Sequence, residues 1–122
     1  MGRREQWMML LGSGLLLATL CHAAPPVEPS SERRAVLLHW LRDDCGACHG
    51  MTLAGGLGSP LTAAALADKP AEGLVATLLY GRLGTAMPPW QPFISEDEAR
   101  WLIDLLQSDR ALSALPRAGG RP

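Results

Sequence analysis

The run Cys45-Gly46-Ala47-Cys48-His49 carries the residues of this chain that are best suited to chemistry. Two thiols lie about one helical turn apart, and an imidazole follows directly. This Cys-x-x-Cys-His spacing is the attachment signature of a c-type haem, whose vinyl groups take up both thiols as thioethers. The imidazole is then an axial ligand of the iron. The run therefore predicts one haem c attached covalently to Cys45 and Cys48, with His49 as a ligand.

Two other uses of a Cys-x-x-Cys pair compete with haem attachment. A thiol redox enzyme would place strands and a βαβ unit around the pair, and a structural zinc site would need four protein ligands. No alternating strand pattern occurs, and downstream of residue 23 only Cys45, Cys48, His49 and His39 offer sulfur or imidazole. His39 falls at a periodic position of a predicted helix, which favours a structural or surface role over ligation. Haem attachment is the better supported use.

Residues 1–23 have the layout of a secretory signal peptide. Arg3 and Arg4 precede a short apolar stretch, and small residues follow at Cys21 and Ala23. This order predicts export to the periplasm and cleavage after Ala23. The apolar stretch is shorter than a typical membrane span, so no stable span is expected in the mature form. Retention of the leader as an uncleaved anchor remains open.

Charge and length limit what the remainder of the chain can be. Without Arg3, Arg4 and Glu5, nine basic and eleven acidic side chains remain, a net charge of −2. No basic surface for nucleic acid is indicated, and about 100 residues suit one domain. The predicted segments are a flexible lead-in at 24–30, the domain at 31–110 and a disordered tail at 111–122 that is rich in proline and glycine.

Periodicity and capping residues predict an all-α domain of about four helices. The predicted helices are 31–44 capped by Ser30 or Ser31, 62–66 begun by Thr62, 70–80 closed by Gly81, and 96–107 opened by the capping box of Ser95 and Glu98. The last helix is expected to bury Trp101, Leu102, Leu105 and Leu106. The first helix leads the chain into the cysteine motif.

A loop with four glycines follows His49. Glycine lets backbone pass close to a flat cofactor or adopt positive φ, although an ordinary surface loop has a similar composition. The carbonyl of Pro60 in this loop is a candidate acceptor for the Nδ1 proton of His49. Such a bond would fix the tautomer and the ring plane of a ligating imidazole. Pro60 is therefore predicted to orient His49.

The segment 81–92 is too rich in glycine and proline for regular structure, and it carries a candidate for the second axial ligand. Three of the five methionines lie in the leader. Met51 stands two residues from His49, too near to reach the opposite face of a haem. Met87 is the methionine that remains.

The two prolines that follow Met87 support its predicted role as a ligand. Pro88 and Pro89 favour extended backbone and would make a stiff strap for the Met87 thioether. Arg82 is a candidate partner of a haem propionate, and a solvated position is the alternative.

In this order of elements, residues 36–106 resemble a class I cytochrome c. The runs DCGACHGMTL from Asp44, GGLG from Gly55, GTAMPPW from Gly84 and FISEDEARW from Phe93 more specifically resemble the NirC (cytochrome c-55X) family of denitrification gene clusters. The resemblance implies a small periplasmic cytochrome with His49 and Met87 as axial ligands. It also implies an association with the cd-type nitrite reductase, as electron donor or as helper in maturing its haem d.

The ligands of the iron and the use made of the haem distinguish three roles. With His49 and Met87 both bound, the iron has no open position and exchanges single electrons with a redox protein partner. Without Met87 the open iron would suit redox or ligand chemistry, and an assembly module would use haem for stability alone. Lys69 is the only lysine, so a mostly apolar docking contact is expected.

Overall fold

A computed structural model describes residues 25–117. The predicted signal peptide, its cleavage site after Ala23 and residues 118–122 of the predicted tail lie outside the described residues. The helical segments are α1 (Ser31–Trp40), a π-helical turn (Leu41–Cys45), α2 (Gly46–His49), α3 (Ala63–Leu66), α4 (Ala71–Tyr80), α5 (Glu96–Gln107) and α6 (Ala111–Ala114). No strand occurs in residues 25–117, which confirms the all-α prediction there. Over the same range, no helix has both the length and the apolarity that a bilayer crossing requires.

The helix starts follow from local capping. Ser30 Oγ accepts a hydrogen bond of 3.2 Å from the amide three residues on, and Thr62 Oγ1 accepts one of 3.3 Å from the Ala65 amide. Ser95 and Glu98 satisfy each other's amides through bonds of 3.2 and 2.8 Å. These side chains pair the N–H groups that a helix start leaves unbonded. The predicted caps at Ser30, Thr62 and Ser95 are confirmed.

One continuous helical stretch delivers the cysteine motif. The chain passes from α1 through the π-helical turn into α2, so the helix ends at His49 and the predicted end near residue 44 is wrong. Gly50 stops it with a φ of 85°, a value that only glycine adopts without strain. A π turn carries one extra residue and often lies at a functional site. Here it ends at Cys45, and Cys48 follows in α2.

The core is centred on α5, whose buried residues are Ala99, Trp101, Leu102, Ile103, Leu105 and Leu106. All four positions predicted to be buried on this helix are confirmed. They pack with Leu37, Leu41, Val75 and Leu79 from the first helical stretch and α4. α5 lies along α4 and contacts α3. Burial of each large aliphatic side chain contributes about 1.5–3 kcal/mol, so α5 anchors the fold.

The predicted disordered tail at 111–122 is wrong for its described part, 111–117. Residues 111–114 form α6, and Ala111 is buried in the core. Arg42 Nη1 donates hydrogen bonds to the carbonyls of Pro116 at 3.2 Å and Arg117 at 2.9 Å. The proline and glycine content indicated disorder, but the burial of Ala111 and the hydrogen bonds from Arg42 hold this segment in place. The domain therefore extends at least to residue 117, with one helix more than predicted.

An ion pair joins α1 to the first turn of α5. Arg33 Nε donates to Glu98 Oε1 at 2.5 Å, and Arg33 Nη2 donates to Glu98 Oε2 at 3.1 Å. The two side chains are 32% and 18% exposed, so water screens the pair only in part. The hydrogen bonds from Arg33 hold the pKa of Glu98 below its usual value. The pair connects residues 65 positions apart.

This pair predicts acid sensitivity. Because the folded pKa of Glu98 is depressed, its contribution to stability is full above the unfolded carboxyl pKa, about 4.3, and is lost as pH falls through the folded value. We expect the unfolding free energy of the wild type to fall more between pH 6 and pH 3.5 than that of Glu98→Gln. Urea denaturation at both pH values measures the difference, and equal losses in the two proteins would contradict the prediction.

Candidate functional site

The two thiols of the motif are free and half-buried on the same helical stretch. Burial, with a smaller effect from Asp44, raises the pKa of Cys45 to about 11. The thiol is therefore protonated at neutral pH, whereas a thiol redox enzyme depends on a lowered cysteine pKa. In residues 25–117, no group of three or more His, Cys, Asp or Glu side chains is arranged to hold a metal ion. The raised pKa of Cys45 does not suit a thiol redox enzyme.

The ring of His49 is fixed by a backbone carbonyl. Its Nδ1 lies 2.6 Å from the carbonyl oxygen of Ser59. Because a carbonyl only accepts, Nδ1 carries the proton and Nε2 keeps its lone pair for a metal. The predicted acceptor, the carbonyl of Pro60, is wrong by one residue. The Pro60 ring packs on Gly55, where a Cβ would come within 3.2 Å of Pro60 Cγ, and this packing leaves the preceding carbonyl facing the imidazole.

Gly58 lies close to the same imidazole. A Cβ at Gly58 would come within 2.8 Å of His49 Cε1 and Nδ1, closer than atoms normally approach. The loop is held there because the Gly58 amide donates to the Cys48 carbonyl at 2.8 Å and the Gly55 amide donates to the His49 carbonyl at 2.8 Å. The sequence showed a glycine-rich loop, but not which of its glycines the ring requires.

We expect Gly58→Ala to lower the unfolding free energy by about 2 kcal/mol, because the added methyl group displaces either the imidazole or the loop. Gly73→Ala is the matched control, since a Cβ at Gly73 on α4 meets nothing within 4 Å. Alanine there should be neutral or stabilising by roughly 0.5–1 kcal/mol, as a helix favours alanine over glycine. Chemical denaturation of the two haem-loaded variants measures both effects. Equal stability of the Gly58 variant and the wild type would contradict the contact.

Met87 lies in the irregular segment between α4 and α5 and is half-buried. Its amide donates to Thr85 Oγ1 at 3.2 Å, and its carbonyl accepts from the Arg82 amide at 3.2 Å. Gly81 has a φ of 70° and lies against the Met87 carbonyl. A Cβ at Gly81 would come within 2.7 Å of the Met87 carbonyl oxygen. Both sides of the Met87 backbone are therefore fixed, which suits a side chain that must be held in place. Ligation by Met87 stays a prediction.

The other predicted residues lie at the edges of the site. Met51 Sδ is 3.3 Å from the position of a Cβ on Gly46, so this thioether rests against the motif helix. Arg82 is exposed, and its backbone amide helps to close the loop at Met87. Its pairing with a propionate stays a prediction.

An aromatic cluster connects the two halves of the site, a feature that the sequence analysis missed. The ring centroids of Trp40 and Trp90 lie 5.9 Å apart, those of Trp40 and Phe93 6.4 Å, and those of Trp90 and Phe93 6.0 Å. Together with Asp44, which precedes Cys45, these rings line an open cleft of about 280 Å³. The spacing of Trp90 from Met87 was visible in the sequence, but its contact with Trp40 depends on the fold.

The donors suit a covalently held haem. The chain offers two thiols in one helical turn, an imidazole whose Nε2 is free, and a glycine against that ring with no room for a side chain. Cys45 and Cys48 would hold the porphyrin and His49 would bind its iron. The structure places the Ser59 carbonyl against His49, while Met87 lies in the segment that also carries Trp90 and Phe93 of the aromatic cluster.

Comparisons with known proteins identify the family of this chain. Residues 36–106 match the family described as cytochrome C oxidase, cbb3-type, subunit III. The chain is similar to cytochrome c55X of Paracoccus denitrificans, with 49% identity over 92 residues that cover 75% of this chain and 89% of the relative.

Two solved structures are similar as well. One is a c-type cytochrome NirC, with 52% identity and a TM-score of 0.67, covering 68% of this chain and 98% of that one. The other is the dihydro-heme d1 dehydrogenase NirN in complex with DHE, with 25% identity and a TM-score of 0.52. The second match covers 66% of this chain but 16% of the dehydrogenase.

Proposed function

Since this chain belongs to the cytochrome c55X (NirC) family of small c-type cytochromes, we propose that it carries single electrons through one haem c held by Cys45, Cys48 and His49. The all-α chain has the small class I cytochrome fold. The family supports an electron carrier over an enzyme. The observation that best supports the proposal is the Ser59 bond to His49, which leaves Nε2 free to bind iron.

We assign the second axial position to the Met87 thioether. Haem c, once attached, supplies a one-electron Fe(III)/Fe(II) couple, and His/Met ligation raises its potential. Ser59 and Gly58 hold the imidazole in one orientation, and the bonds at both sides of Met87 limit its movement. A carrier with both ligands fixed changes little between oxidation states, which favours rapid transfer. Arg82 is the proposed partner of a propionate.

We propose a periplasmic location, reached through the leader with cleavage after Ala23, and a cd-type nitrite reductase as electron acceptor. The NirC name of one similar structure supports a role in denitrification. The location agrees with the attachment chemistry of c-type haem, which follows export. Redox partners of this kind meet in small, transient interfaces, so a lasting complex is not required.

Stopped-flow mixing tests the partner directly. The reduced haem-loaded protein is mixed without oxygen with oxidised cd-type nitrite reductase, and the haem c spectrum is followed. We expect bimolecular oxidation with a rate constant of about 10⁵–10⁷ M⁻¹ s⁻¹, typical of specific encounters. A chemical oxidant serves as the control that the carrier is competent. Oxidation by that reagent without oxidation by the reductase would contradict the donor role.

A role in maturing haem d is the alternative, and the similarity to part of a dihydro-heme d1 dehydrogenase favours it. The two roles differ in what a strain lacking this protein produces. A donor is dispensable for assembly, so the purified reductase would contain its full haem d. A maturation helper is needed before the reductase works, so the reductase would be deficient in haem d. The haem d content of the purified reductase therefore separates the two roles.

A further inference from the structure

The segment that contains Met87 is held on one side by α4. We call residues 87–94 the Met87 strap. The Trp90 amide donates to the Leu78 carbonyl at 3.1 Å, and the Gln91 amide donates to the Leu79 carbonyl at 3.0 Å. These bonds also pair carbonyls that the end of α4 would otherwise leave free. They fix the middle of the strap but not its junction with α5.

A charged side chain of α1 forms hydrogen bonds at that junction. Arg33 Nη2 donates to the Phe93 carbonyl at 2.7 Å, while its Nε and Nη2 both bind the Glu98 carboxylate. Glu98 Oε2 in turn accepts from the Ser95 amide at 2.8 Å. The guanidinium therefore connects the last residues of the strap to the capping box of α5.

The same guanidinium also lies over the aromatic cluster. Its central carbon is 5.0 Å from the centre of a Trp40 ring, within the range of a cation–π contact. Trp40 contacts both Trp90 and Phe93 of the strap, and it lies five residues before Cys45. Arg33 thus binds the backbone of the strap and supports the ring on which the strap packs.

We propose that Arg33 is a positioning residue that holds the Met87 strap against the helix leading into the cysteine motif. It acts through Phe93, Glu98 and Trp40. A planar guanidinium meets all three because it donates in two directions and offers a flat face, whereas an ammonium group cannot. Its effect on the iron rests on the proposed ligation by Met87, but its effect on the strap does not.

Amide hydrogen exchange of the haem-loaded protein tests the effect on the strap. In Arg33→Gln we expect the amides of Trp90, Gln91, Phe93 and Ile94 to exchange about tenfold faster relative to the core amides of α5, because the strap opens locally. Arg33→Lys should recover only part of the protection. Full recovery of the protection in Arg33→Lys would contradict the need for a planar guanidinium at this position.

Arg100→Gln is the matched control. Arg100 binds Glu72 of α4 and Glu96 of α5, so its loss also breaks ion pairs of α5 but none at the strap. In Arg100→Gln the amides of the strap should exchange at the wild-type rate relative to the core amides of α5. An Arg33→Gln protein that exchanges like Arg100→Gln at the strap would overturn the proposal.

Imidazole binding to the ferric protein tests the effect on the iron. An external ligand replaces the thioether only when the strap opens, so its apparent affinity reports the open fraction. We expect about tenfold tighter imidazole binding in Arg33→Gln and wild-type affinity in Arg100→Gln. Unchanged affinity in Arg33→Gln would overturn the link to the ligand. A wild type without methionine ligation would instead refute the proposed axial role of Met87, while hydrogen exchange still decides the role of Arg33.

Discussion

Replacing both Cys45 and Cys48 with alanine is expected to abolish covalent haem attachment completely. Each thioether needs one thiol, and no cysteine other than these two is present downstream of residue 23. Haem should then separate from the polypeptide during denaturing electrophoresis, where the wild type keeps its haem stain. Without a covalently held group the small core also loses a large apolar contact, so we expect low yields of folded protein.

Single substitutions make this test specific. Cys45→Ala or Cys48→Ala leaves one thioether, which should shift the pyridine haemochrome spectrum toward that of a haem with one free vinyl group. Ala47 lies exposed between the two cysteines, so Ala47→Ser is the control that changes the motif without removing a thiol. Covalent haem in the double variant would refute the attachment site. Loss of haem in Ala47→Ser would point to a folding defect instead.

Replacing Met87 with alanine is expected to remove the weak red absorption band that marks methionine–iron ligation in the ferric protein. The reduction potential should fall by an amount on the order of 100 mV or more, because the thioether stabilises ferrous iron. Optical spectra of the oxidised and reduced protein, with a redox titration, measure both changes. The proposed electron carrier requires this ligand, since an iron without it has an open position.

Met51→Ala is the control for this experiment. Met51 is the other methionine within residues 25–117, and its sulfur rests against Gly46 on the motif helix. Its removal should leave both the red band and the potential unchanged. A wild type that lacks the band would refute ligation by Met87 and would favour chemistry at an open iron.

Much of the fold was predictable because its signals are local. A cap needs a side-chain oxygen within three residues of a free amide, so Ser30, Thr62 and Ser95 could be recognised from their neighbours alone. The periodic apolar positions of the last helix predicted its buried face in the same way. The tail was mispredicted because its order depends on Ala111 reaching a distant core and on Arg42 binding its carbonyls.

Some features of the site depend on local sequence and others on the fold. Covalent attachment depends on five consecutive residues, so the sequence alone predicts which thiols and which imidazole take part. Which carbonyl fixes His49 depends on how the glycine loop folds back, and the answer was Ser59, one residue before the prediction. Neighbouring carbonyls of an irregular loop point in different directions, and no local pattern reports which of them faces the ring.

By itself, then, the sequence predicted the residues of haem attachment, and it determined the main helices and the family resemblance. The tertiary structure decided the contacts between distant parts of the chain: the carbonyl facing His49, the glycine beneath its ring and the ion pair between Arg33 and Glu98. That pair spans 65 positions, and either residue alone resembles an ordinary charged side chain on a helix. Such contacts form only when the core brings α1, the Met87 strap and α5 together, because each bond depends on an approach within about 3 Å.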